Sequence, residues 1–137
     1  MKNHLNKVKG SNRTDNPLFQ YLGIIAEHIS PEKAILRLPI KYGFNQDAGV
    51  VAGGILATIA DEAMAHVILA NLNEDQSTAT IEMNIRYLRS IKEGEINAMA
   101  RIIKKARKII TVAAEVRDGK NSLLAHAGAS FIIVESK

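Results

Sequence analysis

Residues Asn45 to Leu72 read NQDAGVVAGGILATIADEAMAHVILANL. This is the most apolar part of the chain, and its period decides the fold. Ile55, Ile59, Ala63 and Val67 recur at a spacing of four, and Leu56, Ala60, Met64 and Ile68 form the adjacent row. Together they make a wide apolar helical face. Ala57, Ala65 and Ala70 keep the other side small. A helix from Gly53 to about Asn71 that is apolar on nearly every side is expected to be enclosed by other structure. Yet Asp61, Glu62 and His66 stand in its middle, and Gly53-Gly54 open it. Asp61 and Glu62 would each cost on the order of 3 kcal/mol near a bilayer centre. The segment therefore reads as a helix inside a folded domain and not as a membrane span.

Outward from the helix, Pro17 to Gly23 (PLFQYLG) places proline at the start and glycine at the end of a short helix. Ile24 to Ser30 and Lys33 to Ile40 read as strands joined at Pro31-Glu32, and Lys41 to Gly49 as a loop. After the break at Asn73 to Ser77 come four strand-like segments. In the first, TATIEMNIRYL, strict alternation puts Ile81, Met83, Ile85 and Tyr87 on one face and Thr80, Glu82, Asn84 and Arg86 on the other. EINAMARIIKKA, KIITVAAEVRD and SLLAHAGASFIIVE follow, the last two joined by a DGKN hairpin turn at Asp118 to Asn121. Short helix, two strands, long helix, four strands predicts an α+β architecture, an antiparallel sheet curled around a central helix.

The 137 residues suit one domain, here residues 17–137, preceded by a basic tail over residues 1–16 that is expected to be disordered. That tail has no apolar core of a secretory signal. No cysteine is present, which removes disulfides, thiolate nucleophiles and cysteine-ligated zinc, and fits a cytoplasmic protein. A net charge of +4, three Phe, three Tyr and no Trp offer little to nucleic acid. No G-x-S-x-G, Walker or Rossmann pattern occurs.

The chemistry-bearing candidates lie on the long helix. Its first N–H groups have no internal partner and carry the positive end of the helix dipole. Glycine would let an anion or a developing oxyanion approach them, or would serve tight packing. Asp61 and Glu62 are too deep for capping, and in apolar surroundings a carboxyl either has a raised pKa or finds a partner. Either suits a general base. Neighbours on a helix diverge by about 100°, so one faces a site and the other does not; the residues alone do not say which. Glu62 is placed to pair with His66 one turn on. His66 and His126 read as hydrogen-bonded structural histidines, and no metal site is expected. The basic residues Arg86, Arg89, Lys92, Arg101, Lys104, Lys105, Arg107 and Lys108 bracket one hairpin and could form a patch for phosphates.

From Gly49 to Ala65, GVVAGGILATIADEAMA resembles the signature of hotdog-fold acyl-CoA thioesterases of the phenylacetate-degradation (PaaI-like) type, roughly G-x-x-H-G-G-x-x-x-x-L-x-D. MNIRYLRSIKEG and AHAGASFIIV resemble strands of the same family. The resemblance covers about Pro17 to Val134. It implies a hotdog fold, a homodimer paired further as a dimer of dimers, and hydrolysis of acyl-CoA without metal or redox cofactor. It makes Asp61 the general base or nucleophile and Gly53 and Gly54 the oxyanion donors, with the site shared between subunits. Thr80 and Gln46 would position water and substrate, Asn45 lies one place from the family's loop asparagine, and Glu62 borders the site. The nucleotide of coenzyme A would lie over Arg89, Lys104 and Arg107. Three departures stand out: Ala52 replaces the histidine before Gly-Gly, Gln46 the loop asparagine, and Ser90 the proline after the strand arginine. Ala52 keeps a second reading open, a module that binds acyl-CoA without cleaving it. It weakens a hotdog dehydratase, which would want that histidine.

Overall fold

The computed structural model describes residues 16–136; the predicted basic tail lies almost wholly outside them. The first helix, α1, runs Pro17–Leu22. Asn16 caps it by accepting the Phe19 N–H, and Gly23, at φ 89°, closes it with its N–H on the Phe19 carbonyl. This is the proline-to-glycine punctuation expected from the sequence. Strands β1 (Ile25–Ile29) and β2 (Ala34–Pro39) form the first hairpin. A 3₁₀ turn at Tyr42–Phe44 leads to the long helix α2, Gly53–Leu69. It stops short of the Asn71 expected, and Asn71 turns its side-chain amide back onto the Val67 carbonyl. Strands β3 (Gln76–Tyr87), β4 (Glu95–Lys105), β5 (Ile109–Asp118) and β6 (Leu123–Glu135) follow. The β5–β6 turn is held by Asp118 Oδ1, which accepts from the N–H groups of Lys120 and Ser122.

The six strands make one antiparallel sheet in the order β1-β2-β4-β5-β6-β3. It curls around α2, which packs against β2 through β6. Leu56, Ile59, Ala60, Ala63, Met64, Val67 and Ile68 are all buried, joining Leu36, Leu38, Ile96, Ile110, Leu124 and Phe131 from the sheet. Both predicted helical rows face this core; Ile55, at the start of its row, is half-buried against it. Among the described residues, no helix is long and apolar enough to cross a membrane.

One element departs from the alternation. The β3–β6 register slips between Thr80 and Glu82. Thr80 lies opposite Phe131, while Met83, Ile85 and Tyr87 lie opposite Ala129, Ala127 and Ala125. All four of those β6 partners are buried against the helix side. Residues directly opposite share a face, so Thr80 joins Met83, Ile85 and Tyr87 instead of facing away from them. Ile81 takes up the bulge and is 52% exposed. A bulge inserts one residue and flips the face of everything beyond it.

Candidate active site

The start of α2 is an uncapped helix end. Ala52 occupies the N-cap with extended backbone and no side-chain hydrogen bond. Its own N–H goes to the Phe44 carbonyl, the Val51 N–H to Ile91, and the Ile55 N–H to Ala52. Among the described residues, the N–H groups of Gly53 and Gly54 meet no acceptor. Gly54 is exposed, and a Cβ built on it would meet nothing within 4 Å. Two free donors therefore stand at the positive end of a 17-residue helix.

Two turns further along, the Thr80 hydroxyl donates to Asp61 Oδ1 at 3.1 Å. The bulge in β3 makes this contact possible. Asp61 is half-buried, and Thr80, on the helix-facing side of the edge strand, is exposed. Glu62 has a different environment: burial, and secondarily the neighbouring Asp61 charge, raises its carboxyl to about 7. The expected divergence of the two carboxylates is thus observed, and Asp61 is the one that holds a hydroxyl partner. His66 meets Glu62 through the backbone. It is buried, with Nδ1 2.8 Å from the Glu62 backbone carbonyl and its ring 5.0 Å from that of Phe19. It is the interior, hydrogen-bonded histidine that the sequence suggested. His126 differs: it is exposed on the outer face of the sheet, opposite Glu115 and Arg86. Among the described residues no group of three or more His, Asp or Glu is arranged to hold a metal ion.

The remaining candidates are dispersed. Gln46 has an exposed side chain in a turn closed by Gly49 N–H on its carbonyl. Asn45 points inward, its Nδ2 3.5 Å from the carbonyls of Gly49 and Lys92. It braces the loop into α2. The basic residues do not form one patch. Arg89 lies just beyond β3, by the start of α2, and lines a groove with Arg37 and Lys120. Lys104 and Arg107 are at the far end of the sheet, where Lys105 reaches the Asn71 carbonyl after α2 ends. A cleft of about 420 Å³ opens beside Ile55, walled by Tyr21, Leu22, Lys41, Gly43 and Phe44. Tyr87, marked by alternation only as an apolar-face residue, donates its hydroxyl to the Gly53 carbonyl at 3.0 Å. Its terminal place on the helix-facing side of β3 was the available signal.

Within one chain the free N–H groups and Asp61 do not converge. Seven residues of helix separate Gly54 from Asp61, roughly 10 Å at 1.5 Å per residue. One carbonyl group cannot touch both.

Solved structures similar to this one include proteins described as thioesterases. A thioesterase family protein from Silicibacter pomeroyi superposes with a TM-score of 0.86 at 20% identity, covering 97% of this chain and 99% of that one. The conserved protein PA5202 from Pseudomonas aeruginosa superposes at 0.83 with 26% identity, covering 89% and 97%. In sequence, "Putative esterase SSO1253" of Saccharolobus solfataricus is 27% identical over 120 residues, 85% of this chain and 77% of that protein. The fold is the hotdog fold, and the relatives' names point to thioester or ester hydrolysis. The family profile described as Thioesterase superfamily matches residues 48–125, more than half of the chain, including the start of α2, Asp61, Thr80 and Tyr87: the chain belongs to the thioesterase superfamily.

Proposed function

We propose that the protein hydrolyses an acyl-CoA thioester to the free acid and coenzyme A, as a PaaI-like member of its superfamily. The observation that carries this reading is the Thr80 hydroxyl on the Asp61 carboxylate, at the open side of a helix that begins with two free N–H groups. Asp61 takes a proton from water as the water oxygen attacks the thioester carbon, or attacks that carbon itself to form a mixed anhydride that water then hydrolyses to the free acid and the restored carboxylate. The Gly53 and Gly54 N–H groups hold the negative charge that develops on the carbonyl oxygen. The C–S bond then breaks and the thiolate leaves with a proton. Thr80 orients the carboxylate, and Gln46 orients substrate. The steps call on no metal or redox cofactor.

The gap of roughly 10 Å along the helix supports a site whose two halves come from two copies of the chain. Two observations support a homodimer. The outer edge of β3, twelve residues long, has no strand beside it among the described residues, and such edges invite pairing. The helix stripe Thr58, Asp61, Glu62, Ala65 and Leu69 is only half-buried by its own chain. Antiparallel pairing of two β3 edges would bring the far end of one sheet, with Lys104 and Arg107, toward the Arg89 end of the other. The nucleotide of coenzyme A would rest there, and an apolar acyl portion suits the cleft beside Ile55. Dimers pair again into a tetramer, and the protein works in the cytoplasm. Ala52 favours a second reading, an acyl-CoA-binding module with little turnover, because it supplies no polar group beside the free N–H donors.

Thiol release from short, medium, long and aromatic acyl-CoAs, with Asp61→Asn run alongside, separates the two. Hydrolysis is expected for at least one class, falling about 10³-fold in the variant. Saturable acyl-CoA binding with no release would establish the binding module instead.

A further inference from the structure

We propose that Tyr87 is a positioning residue for the oxyanion donors, acting on the Gly53–Gly54 peptide through its hydroxyl and dictating glycine at position 53 through its ring. This rests on the reading of those N–H groups as oxyanion donors. The Tyr87 hydroxyl donates to the Gly53 carbonyl at 3.0 Å. That carbonyl and the Gly54 N–H belong to one peptide unit. A hydrogen bond accepted by an amide oxygen draws density from its nitrogen, so the N–H becomes the stronger donor. The unit that Tyr87 polarises is the one whose N–H meets no acceptor among the described residues.

The two glycines then have different reasons. Gly53 has no left-handed φ, in contrast to Gly23, Gly49 and Gly94, so its backbone does not require glycine. A Cβ there would lie 3.1 Å from Tyr87 Cζ, 3.2 Å from Cε1 and 3.3 Å from the hydroxyl oxygen. Side chain and ring cannot both occupy that space without a shift. A Cβ at Gly54 would meet nothing within 4 Å, and the Gly54 N–H meets no acceptor among the described residues. Tyr87 holds its place because β3 past the bulge puts it opposite buried Ala125, on the helix side, at the end of the strand.

The test compares wild type with Tyr87→Phe in the full-length chain by amide ¹H–¹⁵N correlation spectra and by steady-state kinetics on the best acyl-CoA. Phenylalanine keeps the ring and its magnetic effect, so only the hydrogen bond is removed. The Gly54 amide proton is expected to move upfield by more than its neighbours, and kcat to fall about 3–10-fold with KM within about twofold. Gly53→Ala should lose rate comparably, and Tyr87→Phe added to it should lose little more, because the methyl has already displaced the ring. An unmoved Gly54 amide, an unchanged kcat, or a loss carried by KM alone overturns the proposal. Failure of acyl-CoA hydrolysis itself reads differently: turnover is absent or survives Asp61→Asn, and the Gly54 amide alone then decides the Tyr87 link.

Discussion

The two sides of α2 are built from the same small vocabulary and have opposite fates. On one side Ile59, Ala63, Val67, Leu56, Ala60, Met64 and Ile68 are buried by the chain's own sheet. On the other, Thr58, Asp61, Glu62, Ala65 and Leu69 are left half-open, and Gly54 is exposed. Alanines occur on both, so residue type alone does not separate them. What separates them is the sheet: its six strands curl around one side of the helix and leave the other open. The closed side holds the fold together, and the open side carries Asp61, the helix carboxylate of the candidate site. Substitutions should therefore be read out in stability on one side and in rate on the other.

The largest expected effect on folding is Ile59→Ala. Its side chain is fully enclosed, and removing it should lower unfolding free energy by about 2–5 kcal/mol. Denaturant titration measures this; a loss below about 1 kcal/mol would mean that the packed side is looser than its burial implies.

Glu62 lies on the boundary between the two sides, and it gives the comparison a pH axis. Its carboxyl is raised to about 7 in the fold by burial first and by Asp61 second, against about 4.3 in an unfolded chain. The folded state then binds the proton more tightly than the unfolded one. Stability from this group is fully present below about pH 4.3 and is lost as pH rises to about 7. Glu62→Gln should therefore stabilise the protein by about 1–3 kcal/mol at pH 8 and change little at pH 4. Thermal melts at the two pH values decide it; equal effects at both would mean that Glu62 is solvated like a surface carboxylate.

The smallest effect should be the most one-sided. Thr80→Val removes the hydroxyl on Asp61 but leaves a residue of similar shape at an exposed position. Turnover should fall by about 3–10-fold, while stability stays within about 0.5 kcal/mol. A melting shift without a rate change would move Thr80 from the site to the scaffold.

Much of this molecule was legible before its structure. The helix period, the proline and glycine around α1, the DGKN turn and the count of strands led to a sheet around a helix, because each is local chemistry repeated often enough to be read. The spacing from Gly-Gly to Asp61 was legible for the same reason: seven or eight helical residues have one geometry wherever they occur. Where the basic residues stand was not legible: within one chain Arg89 lies at one end of the sheet and Lys104 and Arg107 at the other, because residues near in sequence can stand at opposite ends of a sheet. The histidine's backbone partner was not legible either, because the imidazole took the Glu62 carbonyl within its own turn, a group with no side-chain signature.

By itself, then, the sequence determined the elements, their order and which side of the helix is apolar, since periodicity depends only on the residues in a segment. Only the tertiary structure decided that Thr80 reaches Asp61, that burial raises the Glu62 carboxyl, and that the Gly53 carbonyl meets a tyrosine 34 residues away. Those outcomes depend on a one-residue bulge in β3 and on which strand the sheet lays beside which turn of α2. Registers of that kind are set by contacts between segments, and no segment carries them alone.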